Sequence, residues 1–136
     1  HEFISLSEGM FKLSSLENTI TDSPYSQRDR LGRLISFLAR ISIEKDRDKY
    51  FGIGLDDNTS VVLNSSGIGK VFGGYATRLK TTEKAQQAVA GRAVTIYGLE
   101  RIVFAPGETV NMNEFNSEES EIIDVENGEV NFRNEK

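Results

Sequence analysis

The segment that decides the fold reads Asp22-Ser23-Pro24-Tyr25-Ser26-Gln27-Arg28-Asp29-Arg30-Leu31-Gly32-Arg33-Leu34. Ser26 is a favourable N-cap, which predicts a helix that begins at Gln27. Apolar residues then recur at helical spacing and give this helix one buried face: Leu31, Leu34, Ile35, Leu38 and Ile41. Gly32 inside the helix predicts a close approach of another part of the backbone. The arginines of the first turns lie where unpaired N–H groups already carry partial positive charge, so their position needs a reason.

Short segments rich in β-branched and aromatic residues surround this helix and predict strands. They cover residues 18–22, 50–55, 59–63, 70–78, 93–98, 99–104, 109–112, 121–125 and 130–132. Asp57-Asn58 predicts a tight hairpin, Tyr97-Gly98 a turn within a strand pair, and Asn127-Gly128 a small hairpin. Thr81 or Thr82 predicts the start of a short helix that runs through Ala90. The fold class is therefore α/β and β-rich, with one main helix plus several short strands and hairpins.

The composition limits the chemistry that is available. The 136 residues contain no cysteine, and the single histidine is His1, so we expect no metal, no cofactor and no histidine general base. The net charge of −5 is concentrated in residues 113–136, which carry eight acidic and two basic residues. The rest of the chain is close to neutral, so we expect no nucleic-acid partner. No apolar run is long enough to cross a membrane.

Two further motifs have structural interpretations. The segment from Ser65 to Lys70 has a faint similarity to a phosphate-binding loop, but it lacks the Walker spacing and is interpreted as a hairpin turn. Asp56 and Asp57 offer carboxylates to a cation, and a turn at the end of a strand explains them more simply.

The arginines at the start of the helix have two interpretations. The first is a solvated helix face, with Asp29 and Glu44 as neighbouring partners. The second is a polar pocket for an anionic or guanidinium-bearing ligand. Arg28, Arg30 and Arg33 would line it together with Asp22 at the end of the preceding strand, and their forked donors would fix a carboxylate. The end of a strand that leads into a helix is a usual place for such a site in α/β sheets.

The same segment resembles the Asp-x-His-Phe-x-x-Arg-x-Arg-x-Gly-Arg-Leu motif of cyanophycinase-like serine peptidases, which are relatives of dipeptidase E. Residues 52–59 are similar to the family's Gly-Ile-Gly-Ile-Asp-Glu-x-Thr hairpin. Residues 94–108 are similar to its closing strand pair and Pro-Gly turn. The three motifs follow the family's order and cover residues 18–112. The resemblance implies the C-terminal half of a class I glutamine-amidotransferase-like, flavodoxin-like domain.

The resemblance also implies that this chain lacks catalytic residues. In the family, a serine on a nucleophile elbow and the histidine of the first motif hydrolyse β-aspartyl peptide bonds. Pro24 occupies the histidine position here, and the 136 residues contain no Gly-x-Ser-x-Gly elbow. Asp22, Arg28, Arg30 and Arg33 match positions of the family's substrate pocket. We therefore expect a chain that is non-catalytic alone and keeps a pocket for a small peptide or anionic ligand.

The resemblance divides the chain into an N-terminal segment (1–17), a cyanophycinase-like region (18–112) and an acidic tail with a small hairpin (113–136). The alternative function is a non-catalytic binding or structural module that holds a partner through the arginine pocket or through an exposed sheet edge. That edge predicts a homo-oligomer or pairing with a separate N-terminal half. No signal peptide is expected, which favours the cytoplasm slightly.

Overall fold

The computed structural model describes residues 19–22, 28–89 and 91–133, with only the backbone described for Asp22 and residues 28–30. This part of the chain forms one α-helix and nine strands. The elements are β1 Thr19–Asp22, α1 Arg28–Glu44, β2 Phe51–Leu55, β3 Ser60–Leu63, β4 Ile68–Phe72, β5 Ala76–Lys80, β6 Ile96–Phe104, β7 Thr109–Asn111, a 3-10 helix Ser117–Glu119, β8 Glu121–Glu126 and β9 Glu129–Phe132.

Helix α1 forms where the apolar stripe predicts it. Leu34, Ile35 and Leu38 are buried on its inner face, and burial of each such side chain contributes about 1.5–3 kcal/mol. The helix ends at Glu44, and Asp46 just beyond it has a φ of 53°, which allows the N–H of Arg47 to donate to the carbonyl of Ser42. In the described residues, no helix is both long enough and apolar enough to span a membrane.

Six of the strands form one mixed sheet in the order β1-β2-β5-β6-β8-β9. β1 pairs with β2 in parallel, and every other neighbouring pair is antiparallel. β1 and β2 can be parallel because α1 returns the chain to the same end of the sheet. The predicted α/β class, rich in strands and with one main helix, is confirmed at this coarse level.

The remaining strands form a second sheet in the order β3-β4-β7. The molecule has two apolar clusters, one between the large sheet and α1 and one between the two sheets. Alternate residues of β2 and β5 face opposite sides of the large sheet and so contribute to both clusters. The helix-side core includes Leu34, Leu38 and Leu79, whereas the inter-sheet core contains Ile53, Val71, Ala76, Val110 and Met112.

Three of the predicted local structures are wrong. Residues 81–89 form no helix, because Thr81 is buried and bonds to the chain around β2. Residues 96–104 are one strand with a bulge at Gly98 (φ 74°) rather than two strands joined by a turn. Residues 70–78 are divided between β4 and β5, because Gly73 has a φ of 93° and turns the chain.

The predicted hairpin at Asp57-Asn58 is also wrong. A turn is present, since the N–H of Thr59 donates to the carbonyl of Asp56 and Asn58 has a φ of 59°. The two strands that it connects belong to different sheets, however, because β2 pairs with β1 and β5 while β3 pairs with β4. The turn therefore moves the chain from the large sheet to the small one.

The acidic C-terminal segment forms a hairpin about Asn127-Gly128, as the sequence predicts. β8 of this hairpin pairs with β6, so the hairpin supplies the last two strands of the large sheet. Asp124 holds it in place: its carboxylate accepts the N–H of the Gly98 bulge and two donors from Arg133.

Candidate functional site

The β1–α1–β2 unit brings the predicted site residues to one edge of the large sheet. β1 and β2 are parallel with Asp22 opposite Gly54, so the carboxyl ends of both strands lie at the same edge. Helix α1 begins at Arg28, only six residues after β1 ends, and packs against both strands. Asp22, Arg28 and Arg30 are therefore placed at the edge where α/β sheets bind ligands.

The side chains of the predicted pocket are described only for Arg33, which is half-buried. Arg40, on the same helix, is exposed and forms an ion pair with Glu44 at 3.1 Å. Pro24, which the resemblance aligns with the family's catalytic histidine, lies outside the described residues. The structure thus places the backbone of the predicted site and leaves the shape of the pocket as a prediction.

Sequence reasoning missed the residues that flank this edge on neighbouring strands. The strand register aligns four residues in one row across the sheet: Asp22, Gly54, Thr77 and Val103. This row faces α1, because Gly52 lies under Leu34 of the helix and residues two apart in a strand share a face. Thr77 is buried, whereas Val103 is 43% exposed. No local pattern reports these neighbours, since only strand pairing brings β5 and β6 beside β2.

The two motifs with structural interpretations form the expected turns. Residues 64–67 connect β3 to β4, and the side chain of Asn64 accepts the N–H groups of Ser66 and Ile68. Asp56 and Asp57 lie in the turn that follows β2. Within the described residues, no three histidine, cysteine, aspartate or glutamate side chains are grouped so that they could hold a metal ion.

A second polar cluster lies on the opposite face of the large sheet, and sequence reasoning did not predict it. Arg78 is only 3% exposed in the middle of β5, and its guanidinium Cζ lies 5.6 Å from the ring centre of Phe51 and 5.3 Å from that of Phe115. Beside it, Lys80 forms an ion pair with Glu100 at 3.0 Å. The available signal was an arginine in the middle of a strand, two residues after Ala76 and therefore on the same face.

Comparisons of the chain with protein families, with curated proteins and with solved structures find no match. The resemblance to cyanophycinase-like peptidases therefore depends on the three sequence motifs.

Proposed function

We propose that this chain is the C-terminal half of a cyanophycinase-like, flavodoxin-like domain that binds a small peptide or anionic ligand without hydrolysing it. The observation that supports this proposal most directly is the β1–α1–β2 unit. Its two strands are parallel, Asp22 ends the first strand, and α1 starts at Arg28. In doubly wound domains, ligands bind beyond the carboxyl ends of parallel strands, where these residues lie.

The proposed ligand follows from the chemistry of the retained residues. Arginine presents a rigid fork of donors that matches the two oxygens of a carboxylate. Arg28, Arg30 and Arg33 supply three positive charges, and Asp22 supplies an acceptor for a cationic group. A β-aspartyl-arginine dipeptide carries both kinds of group, so it is the first ligand to test.

The proposed lack of catalysis rests on two residue positions. Hydrolysis by this family needs a serine nucleophile and a histidine that takes its proton. Proline at position 24 has no group that accepts a proton, and the 136 residues include no elbow serine. The family's reaction is serine-type peptide hydrolysis, and we propose that this chain keeps only the binding function.

Calorimetric titration with β-aspartyl-arginine tests the pocket. We expect Arg30→Ala and Arg33→Ala each to weaken binding about tenfold to a hundredfold, since a hydrogen bond to a charged group contributes roughly 1.5–3 kcal/mol. Arg40→Ala is the matched control, because it removes an exposed arginine from the same helix.

Thermal unfolding of the same variants separates binding from folding. The proposal requires Arg30→Ala and Arg33→Ala to unfold close to the wild-type temperature. The opposite result is that the two variants lose thermal stability while binding the dipeptide as well as Arg40→Ala does. That result would support the interpretation of the arginines as a solvated helix face.

The alternative is a module that holds a partner through β1. In the described residues β1 is the terminal strand of the large sheet and pairs only with β2. An edge strand offers backbone donors and acceptors to another strand, so it favours a second copy or a separate N-terminal half as the partner.

A further inference from the structure

Arg78 stands apart from the other arginines whose partners the structure gives. Arg101 and Arg133 each direct Nε and Nη2 at a carboxylate, on Glu121 and Asp124 respectively, with distances of 2.6–3.0 Å. Arg40 likewise directs Nε at Glu44. Arg78 is far more buried than these three, and no carboxylate of the described residues pairs with it.

The two hydrogen bonds that Arg78 makes use only one end of its guanidinium. Nη1 donates to the backbone carbonyls of Asn111 at 3.3 Å and Glu114 at 2.6 Å. Nε is buried and has no hydrogen-bond partner in the described part of the chain. Buried polar groups are nearly always paired, so this orphaned N–H calls for a partner.

The surrounding charges do not neutralise Arg78. Glu100 is already shared, because it pairs with Lys80 at 3.0 Å and accepts the hydroxyl of Ser117 at 2.7 Å. Arg78, Lys80 and Glu100 therefore leave one uncompensated positive charge under the surface. Burial lowers the pKa of Arg78, but an arginine starts so far above neutral that it stays charged. A buried charge of this kind is normally paired.

Two aromatic rings lie close to the guanidinium of Arg78. Phe51 and Phe115 both lie within cation–π range of the guanidinium, and their ring centres are 6.1 Å apart. Phe115 is half-buried and follows Glu114, whose carbonyl Arg78 holds.

We propose that Arg78 is a binding site for a carboxylate group, which accepts its Nε–H on the sheet face opposite α1 and is covered by Phe115. An aromatic carboxylate suits this site, because its ring can pack beside Phe51 while its oxygens accept from the guanidinium. The site is separate from the proposed pocket at the end of β1, so it stands whether or not that pocket binds a ligand.

Nitrogen-15 NMR of the arginine Nε–H groups tests the proposal on the intact wild-type chain. Titration with benzoate should move the Arg78 Nε–H resonance downfield and saturate at millimolar concentration, whereas benzamide, which has the same ring and no charge, should leave it in place. The Arg101 resonance is the internal control, because its Nε already binds Glu121 beside the ring of Phe132.

Two variants extend the test. Arg78→Lys identifies the resonance by its disappearance and should abolish saturable benzoate binding. Phe115→Ala should bind benzoate several-fold more tightly, because it removes the cover and leaves both backbone contacts of Arg78 in place. If Arg78→Lys does not fold, the wild-type titration and Phe115→Ala still decide the question.

A dilution series distinguishes a free carboxylate from one that a second copy supplies. If a second copy supplies the carboxylate, the Arg78 resonance changes with protein concentration and responds to benzoate only in dilute solution. That result assigns the carboxylate to another chain and supports the site. An Arg78 resonance that is unaffected by both benzoate and dilution, and that shows contact only with water, overturns the proposal.

Discussion

Gly52 of β2 lies directly beneath Leu34 of α1, so closely that a Cβ built on this glycine would be 3.1 Å from Leu34 Cδ1 and 3.0 Å from Leu38 Cδ1. The helix can reach the sheet at this height only because residue 52 has no side chain. The predicted role of Gly32 in close packing is wrong, since that glycine is exposed and a Cβ added to it would have no described atom within 4 Å.

Substitution of these two glycines should therefore have opposite effects. We expect Gly52→Val to destabilise the protein by about 1–3 kcal/mol through overpacking, although valine favours strands. Gly32→Ala should stabilise it by up to about 1 kcal/mol, because alanine is the better helix former. Urea denaturation measures both values, and a Gly52→Val variant as stable as wild type would contradict the observed packing.

Thr81 makes a buried contact and does not cap a helix as predicted. Its hydroxyl accepts the N–H of Tyr50 at 2.8 Å, so Thr81→Val leaves that donor buried without a partner. We expect a loss of about 1–3 kcal/mol in the free energy of unfolding. Thr82→Val is the control, because Thr82 is exposed and donates only to the carbonyl of Gly98. Equal losses in the two variants would argue against the buried contact.

Asp124 should make stability depend on pH. The hydrogen bond from Arg133 lowers the pKa of this carboxyl, and the N–H of Gly98 adds to the effect. A folded-state pKa below the unfolded value stabilises the protein above the unfolded pKa, and this contribution is lost as the pH falls through the folded pKa.

Comparison of wild type with Asp124→Asn measures this contribution. We expect a difference of about 1 kcal/mol at pH 7, because the pair is partly exposed, and the difference should shrink once the pH falls below about 4. Urea denaturation at several pH values gives the curve. A difference that stays constant from pH 7 to pH 3 would show that the ion pair contributes nothing.

The edge strand β1 predicts self-association. We expect light scattering at high micromolar concentration to detect a dimer or larger species, because strands at a sheet edge pair with one another. Thr21→Lys adds a charge to the exposed Thr21 of β1 and should reduce association, whereas Ser65→Lys adds the same charge to an exposed turn and should not. A strictly monomeric wild-type chain would count against the edge as an interface.

The residue at position 24 predicts the absence of hydrolysis. Incubation of the chain with β-aspartyl-arginine should release no free aspartate or arginine by mass spectrometry. Pro24→His should remain inactive, because a histidine without an elbow serine has no nucleophile to activate. A rate of hydrolysis by the wild-type chain that exceeds the rate of a matched Pro24→Ala control would contradict the prediction made from Pro24.

The local sequence was sufficient for elements that are stabilised by their own residues. The apolar spacing from Leu31 to Ile41 predicts α1, and the Ser26 cap predicts its start within one residue of the described one. Asn127-Gly128 predicts the hairpin of β8 and β9. It failed for residues 81–89, where Thr81 bonds to the distant Tyr50 rather than to a helix. A distant partner of this kind leaves no local pattern.

The candidate site divides in the same way. The strand end at Asp22 and the helix start at Arg28 follow from sequence, because turn and capping chemistry act over a few residues. The position of Thr77 beside Gly54, and the burial of Arg78 between Phe51 and Phe115, follow from strand pairing.

By itself the sequence determined the α/β class, the main helix and the arginines at its first turns. Only the tertiary structure decided that β2 pairs with β5 rather than with β3, and that Arg78 is buried with no carboxylate partner among the described residues. The physical reason is that alternation along a strand specifies which side chains face a core. The choice of neighbouring strand depends on contacts between residues that are far apart in the chain.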